Sequence, residues 1–134
     1  MNYLFDTSAV LIHFQDEKGA EKLVALLGKM DSKCYLCAVS VVELARKFRE
    51  IGLTKKEVDS TLAAYLNLFD EIVPVDVAVA AHAREIGEKT PDRLPLVDSL
   101  IAGAAKSKDA CLVHRDKHLA AIPSAVLKQV SVGG

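Results

Sequence analysis

The sequence predicts an α/β domain in which a mostly parallel central sheet is covered by helices on both faces. Short apolar runs that end at polar residues alternate with longer segments of helical periodicity along nearly the whole chain, as in folds that alternate strands and helices. Of the 134 residues, 51% are apolar and only 5% are aromatic, which favours small side chains packed closely between helices and a sheet. The length suits one domain over residues 1–134, since no linker or repeat divides it.

Five short apolar runs predict the strands, and most of them end at a polar or helix-capping residue. They cover residues 3–5, 34–37, 72–75, 110–113 and 126–130. Such runs are typical of strands that are buried on both faces of a parallel sheet.

The helices are predicted from apolar stripes and from their end signals. They cover residues 9–14, 19–30, 40–51, 54–69, 77–88, 96–108 and 119–122. Ser40 with Glu43 has the spacing of a capping box, and Thr54 opens another, a pattern that begins helices. Asp76 is suited to cap the next helix, and Pro95 lies where the first turn of another begins. Residues 89–94 and 114–118 are expected as polar loops.

Charge and cysteine content restrict the class of protein. Seventeen basic and 18 acidic residues give a net charge of −1, so binding to nucleic acid would depend on local patches. Three cysteines, an odd number, argue against a disulfide framework and favour a reducing compartment. No run approaches the roughly 18 apolar residues of a membrane span. We therefore expect a cytoplasmic protein that does not enter membranes. The C-x-x-C pair Cys34 and Cys37 lacks partner ligands at a zinc-site spacing, which favours two buried strand cysteines on opposite sheet faces.

Four acids stand where predicted strands give way to helices: Asp6, Glu43, Asp98 and Asp116. Each has an ordinary explanation, as a helix cap, a capping-box partner, a favourable charge in a first turn, or a turn residue. Together, however, they would meet at one edge of a parallel sheet and repel one another. A divalent cation would relieve that repulsion, and oxygen ligands alone favour Mg²⁺ or Mn²⁺.

The residues around these acids resemble the motifs of PIN-domain ribonucleases. The segments are Phe-Asp6-Thr-Ser, Val-Val-Glu43-Leu, Leu-Val-Asp98-Ser-Leu-Ile-Ala and Arg-Asp116-Lys-His-Leu. With nothing appended, the chain is similar to the VapC toxins of type II toxin–antitoxin pairs. The resemblance implies a Mg²⁺-dependent endoribonuclease whose four acids hold the metal and carry catalysis. It further implies an RNA substrate, a cognate VapB-type antitoxin and a homodimer. His114 departs from the family pattern, which commonly has Thr or Ser two residues before the fourth acid.

Four further residues are candidates for substrate contact. Thr7 and Ser8, beside Asp6, are suited to bond a ligand carboxylate or the scissile phosphate, whereas Arg46 and Arg115 are suited to the RNA backbone. For each basic residue alone, a solvated surface position is the better explanation. The cluster that includes Arg46 could equally receive an antitoxin segment.

A rival hypothesis is a PIN-like module that binds RNA or protein without cutting. The four acids weigh against it, because a binder of phosphate gains nothing from a group of negative charges. A phosphatase of the haloacid dehalogenase type would need a second Asp where Ser8 stands. No motif in the sequence predicts which RNA would be cut.

Overall fold

The fold is seen in a computed structural model that describes residues 1–133, and its centre is a five-stranded sheet in which every paired strand is parallel. The strand order is β3-β2-β1-β4-β5. The strands are β1 (Asn2–Phe5), β2 (Cys34–Cys37), β3 (Glu71–Val73), β4 (Ala110–His114) and β5 (Gln129–Ser131). The predicted α/β class and parallel sheet are confirmed.

Helices cover both faces of this sheet, as predicted. They are α1 (Thr7–Phe14), α2 (Ala20–Leu27), α3 (Ala38–Ile51), α4 (Lys55–Leu68), α5 (Val77–Lys89), α6 (Leu96–Ser107) and α7 (Lys117–Ala120). The first four pack in one buried apolar cluster on one face, and the last three pack in a second cluster on the other. Among residues 1–133, no helix is both long enough and apolar enough to cross a bilayer.

Alternation along the strands divides the core between the two faces. Tyr3 and Phe5 lie in the α1–α4 cluster, and Leu4 lies in the cluster of α5–α7. Because side chains alternate between the faces along a strand, Cys34 and Cys37, three positions apart, are both buried but lie on opposite faces. Burial raises the pKa of the Cys34 thiol to about 11, so this side chain is a protonated core residue at neutral pH.

Helix α6 lies close against α5 because residue 103 is a glycine. A Cβ placed on Gly103 would stand 2.5 Å from the carbonyl oxygen of Val79 and 2.9 Å from the amide nitrogen of Ala83. Such distances are far inside van der Waals contact, so only glycine permits this approach of the two helices. The contact matters for the site because α6 carries Asp98 in its first turn.

Several element boundaries differ from those predicted. Helix α3 begins at Ala38 with Cys37 as its N-cap, which places Ser40 inside the helix. Strand β3 ends at Val73, before Pro74, which has no N–H to donate to a ladder. Helix α2 ends at Leu27 because Gly28 caps it.

The remaining differences concern the chain around β4 and β5. His114 belongs to β4 and pairs with Ser131 rather than opening a loop. Strand β5 is confined to Gln129–Ser131, later than predicted. Helix α7 begins at Lys117 because the Asp116 side chain caps it.

Candidate active site

The carboxyl ends of β1, β2 and β4 place acidic residues at one edge of the sheet. Asp6 directly follows β1, Glu43 lies in the second turn of the helix after β2, and Asp116 follows β4 by two residues. Asp98 comes from the first turn of α6. The charges of the other three acids each raise the pKa of Asp98, so each of these three carboxylates lies within electrostatic reach of Asp98. This edge of a parallel sheet is where ligands of α/β folds bind.

Asp98, like Asp6, has a pKa above its ordinary value in these surroundings. Its side chain is half-buried, and this burial is the largest cause of a pKa raised to about 7. The negative charges of Asp116, Asp6 and Glu43 add to the shift in that order. A cation bound beside Asp98 would reverse the sign of this local field and favour the carboxylate.

Asp6 is buried, with only 3% of its surface exposed. Burial raises its pKa above the ordinary value, although two hydrogen bonds from Ser8 oppose that shift. The amide nitrogen of Ser8 donates to Oδ2 of Asp6 at 3.1 Å, and the Ser8 hydroxyl donates to the same oxygen at 2.6 Å. Asp6 is therefore the N-cap of α1 and also a member of the acidic group.

Glu43 is held by Thr7 rather than by Ser40. The Thr7 hydroxyl donates to Oε1 of Glu43 at 2.6 Å, and Thr7 Oγ1 lies 3.0 Å from the buried Ser40 hydroxyl. The predicted capping box of Ser40 and Glu43 is wrong, because α3 begins two residues earlier and its first turn is already complete at that point. Ser40 instead supports Thr7 from within the helix. No separate sequence signal predicts this role, since the capping-box spacing explained both residues.

Asp116 caps α7 with one oxygen. Oδ1 accepts from the amide nitrogens of His118 at 2.7 Å and Leu119 at 3.2 Å. These bonds, like those to Asp6 and Glu43, engage a single oxygen of the carboxylate. The second oxygen of each acid is the atom that a ligand could use.

The two arginines proposed for substrate contact lie in different surroundings. Arg115 is exposed, and its guanidinium forms an ion pair with Glu17 at 2.8 Å rather than with the four acids. Its amide nitrogen donates to the Ser8 hydroxyl at 2.9 Å, which ties the β4–α7 loop to the start of α1. Arg46 is exposed on α3, one turn after Glu43. Glu17 was missed by the sequence analysis, because an ion pair between distant segments leaves no local pattern.

The donor chemistry of the four acids suits a hard divalent cation, although they do not form a closed ligand set. Among residues 1–133, no group of three or more His, Cys, Asp or Glu side chains is already arranged to hold a metal ion. In the same part of the chain, no salt bridge involves any of the four. Oxygen donors whose mutual repulsion is not offset by a basic side chain fit Mg²⁺ or Mn²⁺. The carboxylates would have to close on the ion to bind it.

Comparison with known proteins gives the family. Residues 3–124 match the family model of the PIN domain. The chain belongs to the PIN domain family. No curated protein matches the sequence of this PIN domain.

Solved structures share the fold of this PIN domain at low sequence identity. VapBC2 from Rickettsia felis, bound to a DNA fragment from its promoter, is 19% identical with a TM-score of 0.78, covering 98% of this chain and 99% of that one. VapBC-1 from nontypeable Haemophilus influenzae is 16% identical with a TM-score of 0.76, covering 98% of each chain. FitAcB from Neisseria gonorrhoeae is 23% identical with a TM-score of 0.71, covering 95% of each chain. These likenesses establish the fold over nearly the full length.

Proposed function

We propose that this PIN domain is a Mg²⁺- or Mn²⁺-dependent endoribonuclease and the toxin of a VapBC-type toxin–antitoxin pair. One observation carries the proposal: Asp6, Glu43 and Asp116 lie near enough to Asp98, at the carboxyl edge of the sheet, for their charges to add to the pKa shift that burial of Asp98 causes. Such a concentration of negative charge opposes folding unless a ligand compensates it. It is the arrangement that a metal-dependent phosphodiesterase would need.

The four acids have distinct tasks in this proposal. Asp6, Glu43 and Asp98 hold the ion, and Asp116 completes the set or orients the attacking water. When bound, the ion supplies an activated water and offsets the charge that develops on the phosphate and the leaving oxygen. The chain itself keeps its ligands oriented, because Ser8 holds one oxygen of Asp6 and Thr7 holds one oxygen of Glu43. Second-sphere hydrogen bonds of this kind preserve metal affinity.

RNA is the proposed substrate, and basic side chains beside the acids would bind its backbone. Arg46 is exposed one turn after Glu43 and is free to approach phosphate. Arg115 would contact phosphate by exchanging its ion pair with Glu17, which is half-exposed, for one with the backbone. Exchange of one exposed ion pair for another costs little. The hydroxyls of Thr7 and Ser8 donate to the carboxylates of Glu43 and Asp6. In this proposal, contact with the scissile phosphate is their lesser role.

A VapB-type antitoxin is the proposed partner. The support is the similarity to chains solved as VapBC complexes. We also propose that the protein acts in the cytoplasm, together with this antitoxin and its RNA substrate.

We further propose a homodimer. An open groove of about 700 Å³ between α5 and the start of α6 has a largely apolar lining, and Leu96 at its edge is 75% exposed. A second copy would cover this surface.

Cleavage of a broad RNA pool by purified protein tests the nuclease proposal. We expect wild-type protein to cleave with Mg²⁺ and to stop with EDTA, and Asp98→Asn to lose at least about 100-fold in rate. Asp92→Asn is the matched control, because it makes the same change at an exposed acid outside the site. Asp92→Asn should cleave like the wild type. Full activity in a folded Asp98→Asn protein would refute the proposed site, and RNA binding without cleavage would favour a binding module.

A further inference from the structure

His114 is a fully buried imidazole beside the acidic site, and both of its ring nitrogens are hydrogen-bonded. The amide nitrogen of Asp116 lies 3.1 Å from Nδ1, and Oε1 of Gln129 lies 2.6 Å from Nε2. The Gln129 side-chain amide in turn donates to the carbonyl oxygen of Ile122 at 2.8 Å. A polar ring with no exposed surface is stable only when such partners satisfy it.

These contacts determine which group donates and which accepts in each of the three hydrogen bonds. A backbone amide can only donate, so Nδ1 of His114 accepts from Asp116 and the ring proton sits on Nε2. Nε2–H then donates to the carbonyl oxygen of Gln129, and the NH₂ of Gln129 is left to donate to Ile122. One tautomer and one amide orientation satisfy all the groups.

The chain of bonds spans the two ends of α7. Asp116 is the residue before this four-residue helix, and Ile122 is the second residue after it. A helix of four residues has too few internal bonds to be stable alone. His114 and Gln129 therefore hold the segment that carries the Asp116 carboxylate, and they anchor it to β4 and β5, where the two residues lie. The Ser8 hydroxyl adds a bond to the amide of Arg115.

We propose that His114, oriented by Gln129, is a positioning residue that fixes the Asp116 carboxylate relative to the other three acids. Its effect on catalysis rests on the proposed nuclease function. His114 does so through its Nδ1 lone pair, which accepts a hydrogen bond from the backbone amide of Asp116 itself. A residue that can accept at this position should preserve the site, and an apolar residue of similar shape should loosen it.

The test compares His114→Asn with His114→Leu. Asn and Leu branch identically at Cγ, but only Asn can accept the Asp116 amide proton. Amide hydrogen exchange of Asp116 in metal-free protein is the first readout, with the amide of Leu112 as the internal reference because it bonds to the Lys128 carbonyl in the sheet. We expect exchange at Asp116 to be about 10-fold faster in His114→Leu and close to wild type in His114→Asn, with Leu112 unchanged.

RNA cleavage and imidazole nitrogen shifts are the second and third readouts. We expect kcat to fall about 10-fold in His114→Leu with an unchanged KM, and to recover in His114→Asn. The nitrogen shifts of wild-type His114 should show the proton on Nε2. Gln129→Met, which keeps the length of the side chain but not its polar atoms, should also speed exchange at Asp116. This variant provides the test if His114→Leu does not fold.

Equal exchange at Asp116 in the Leu and Asn variants would overturn the inference, as would a wild-type shift pattern with the proton on Nδ1. Wild-type kcat in His114→Leu, despite faster exchange, would overturn its catalytic part. If the wild type itself cleaves no RNA, the proposed function fails instead, and the exchange comparison still decides whether His114 holds Asp116.

Discussion

At the scale of single residues, the surroundings of Asp98 favour its protonated form. Its half-buried position among three other carboxylates raises its pKa to about 7, against an ordinary value of 3.8. Between these pH values the folded chain binds more protons at this residue than the unfolded chain does. The free energy of unfolding therefore falls as the pH rises through this window, and the loss is complete above the folded-state pKa.

Removal of this charge should stabilise the metal-free protein. In EDTA at pH 8, we expect Asp98→Asn to be more stable than the wild type by about 1–3 kcal/mol, and at pH 4 the difference should nearly vanish. Urea unfolding at the two pH values measures both. Added Mg²⁺ should raise the stability of the wild type more than that of the variant. Equal stabilities at pH 8 would contradict the assignment of Asp98 to a cluster of like charges.

The sequence predicted where the acids would be but not how each is held. Asp6 follows β1 directly and Asp116 follows β4 by two residues, so the geometry of a parallel sheet is enough to bring them to one edge. The bond from Thr7 to Glu43 joins residues 36 positions apart and competed with a local capping-box pattern that fitted equally well. The pKa of Asp98 depends on its burial and on its distances from three other segments of the chain, and no local pattern contains either.

At the scale of elements, the position of α6 depends on one glycine. We expect Gly103→Ala to destabilise the protein by about 1–3 kcal/mol, because its Cβ would meet the backbone of α5. Gly87→Ala is the matched control: its Cβ would meet no atom within 4 Å, and alanine is the better helix former by up to about 1 kcal/mol. In thermal unfolding measured in dilute solution, only Gly103→Ala should have a Tm below that of the wild type. A wild-type Tm for Gly103→Ala would show that α5 and α6 separate without cost.

Elements with strong periodicity were predicted well, and short edge elements were not. Helix α4 has the predicted capping box, with Thr54 accepting from the amide of Glu57 at 3.2 Å and the Glu57 side chain accepting from the amide of Thr54 at 2.9 Å. Strand β5, by contrast, has three residues at the edge of the sheet and was displaced by three positions at its start. Its bounds follow from its pairing with β4, since so short a strand carries little pattern of its own.

At the scale of the whole molecule, the fold is shared with solved structures that are 16–23% identical to this chain. Agreement at this level reflects the order of strands and the two apolar clusters rather than particular side chains. Apolar residues of similar volume exchange in cores with modest loss of stability. The fold could therefore be predicted from the alternation of elements, whereas assembly depends on which apolar side chains stay exposed once those elements pack.

The α5–α6 groove allows the proposed dimer to be tested without disturbing the core. Leu96 lies at the groove and Met30 lies after α2, and both are exposed, at 75% and 97%. Neither contributes much to the stability of a single copy. We expect Leu96→Gln to raise the dissociation constant of the dimer by about 10-fold or more, as loss of an apolar contact buried in an interface does, and Met30→Gln to leave it unchanged. Sedimentation equilibrium over a range of concentrations measures both. A wild-type chain that remains monomeric at micromolar concentration would refute the dimer, and equal effects of the two substitutions would place its interface elsewhere.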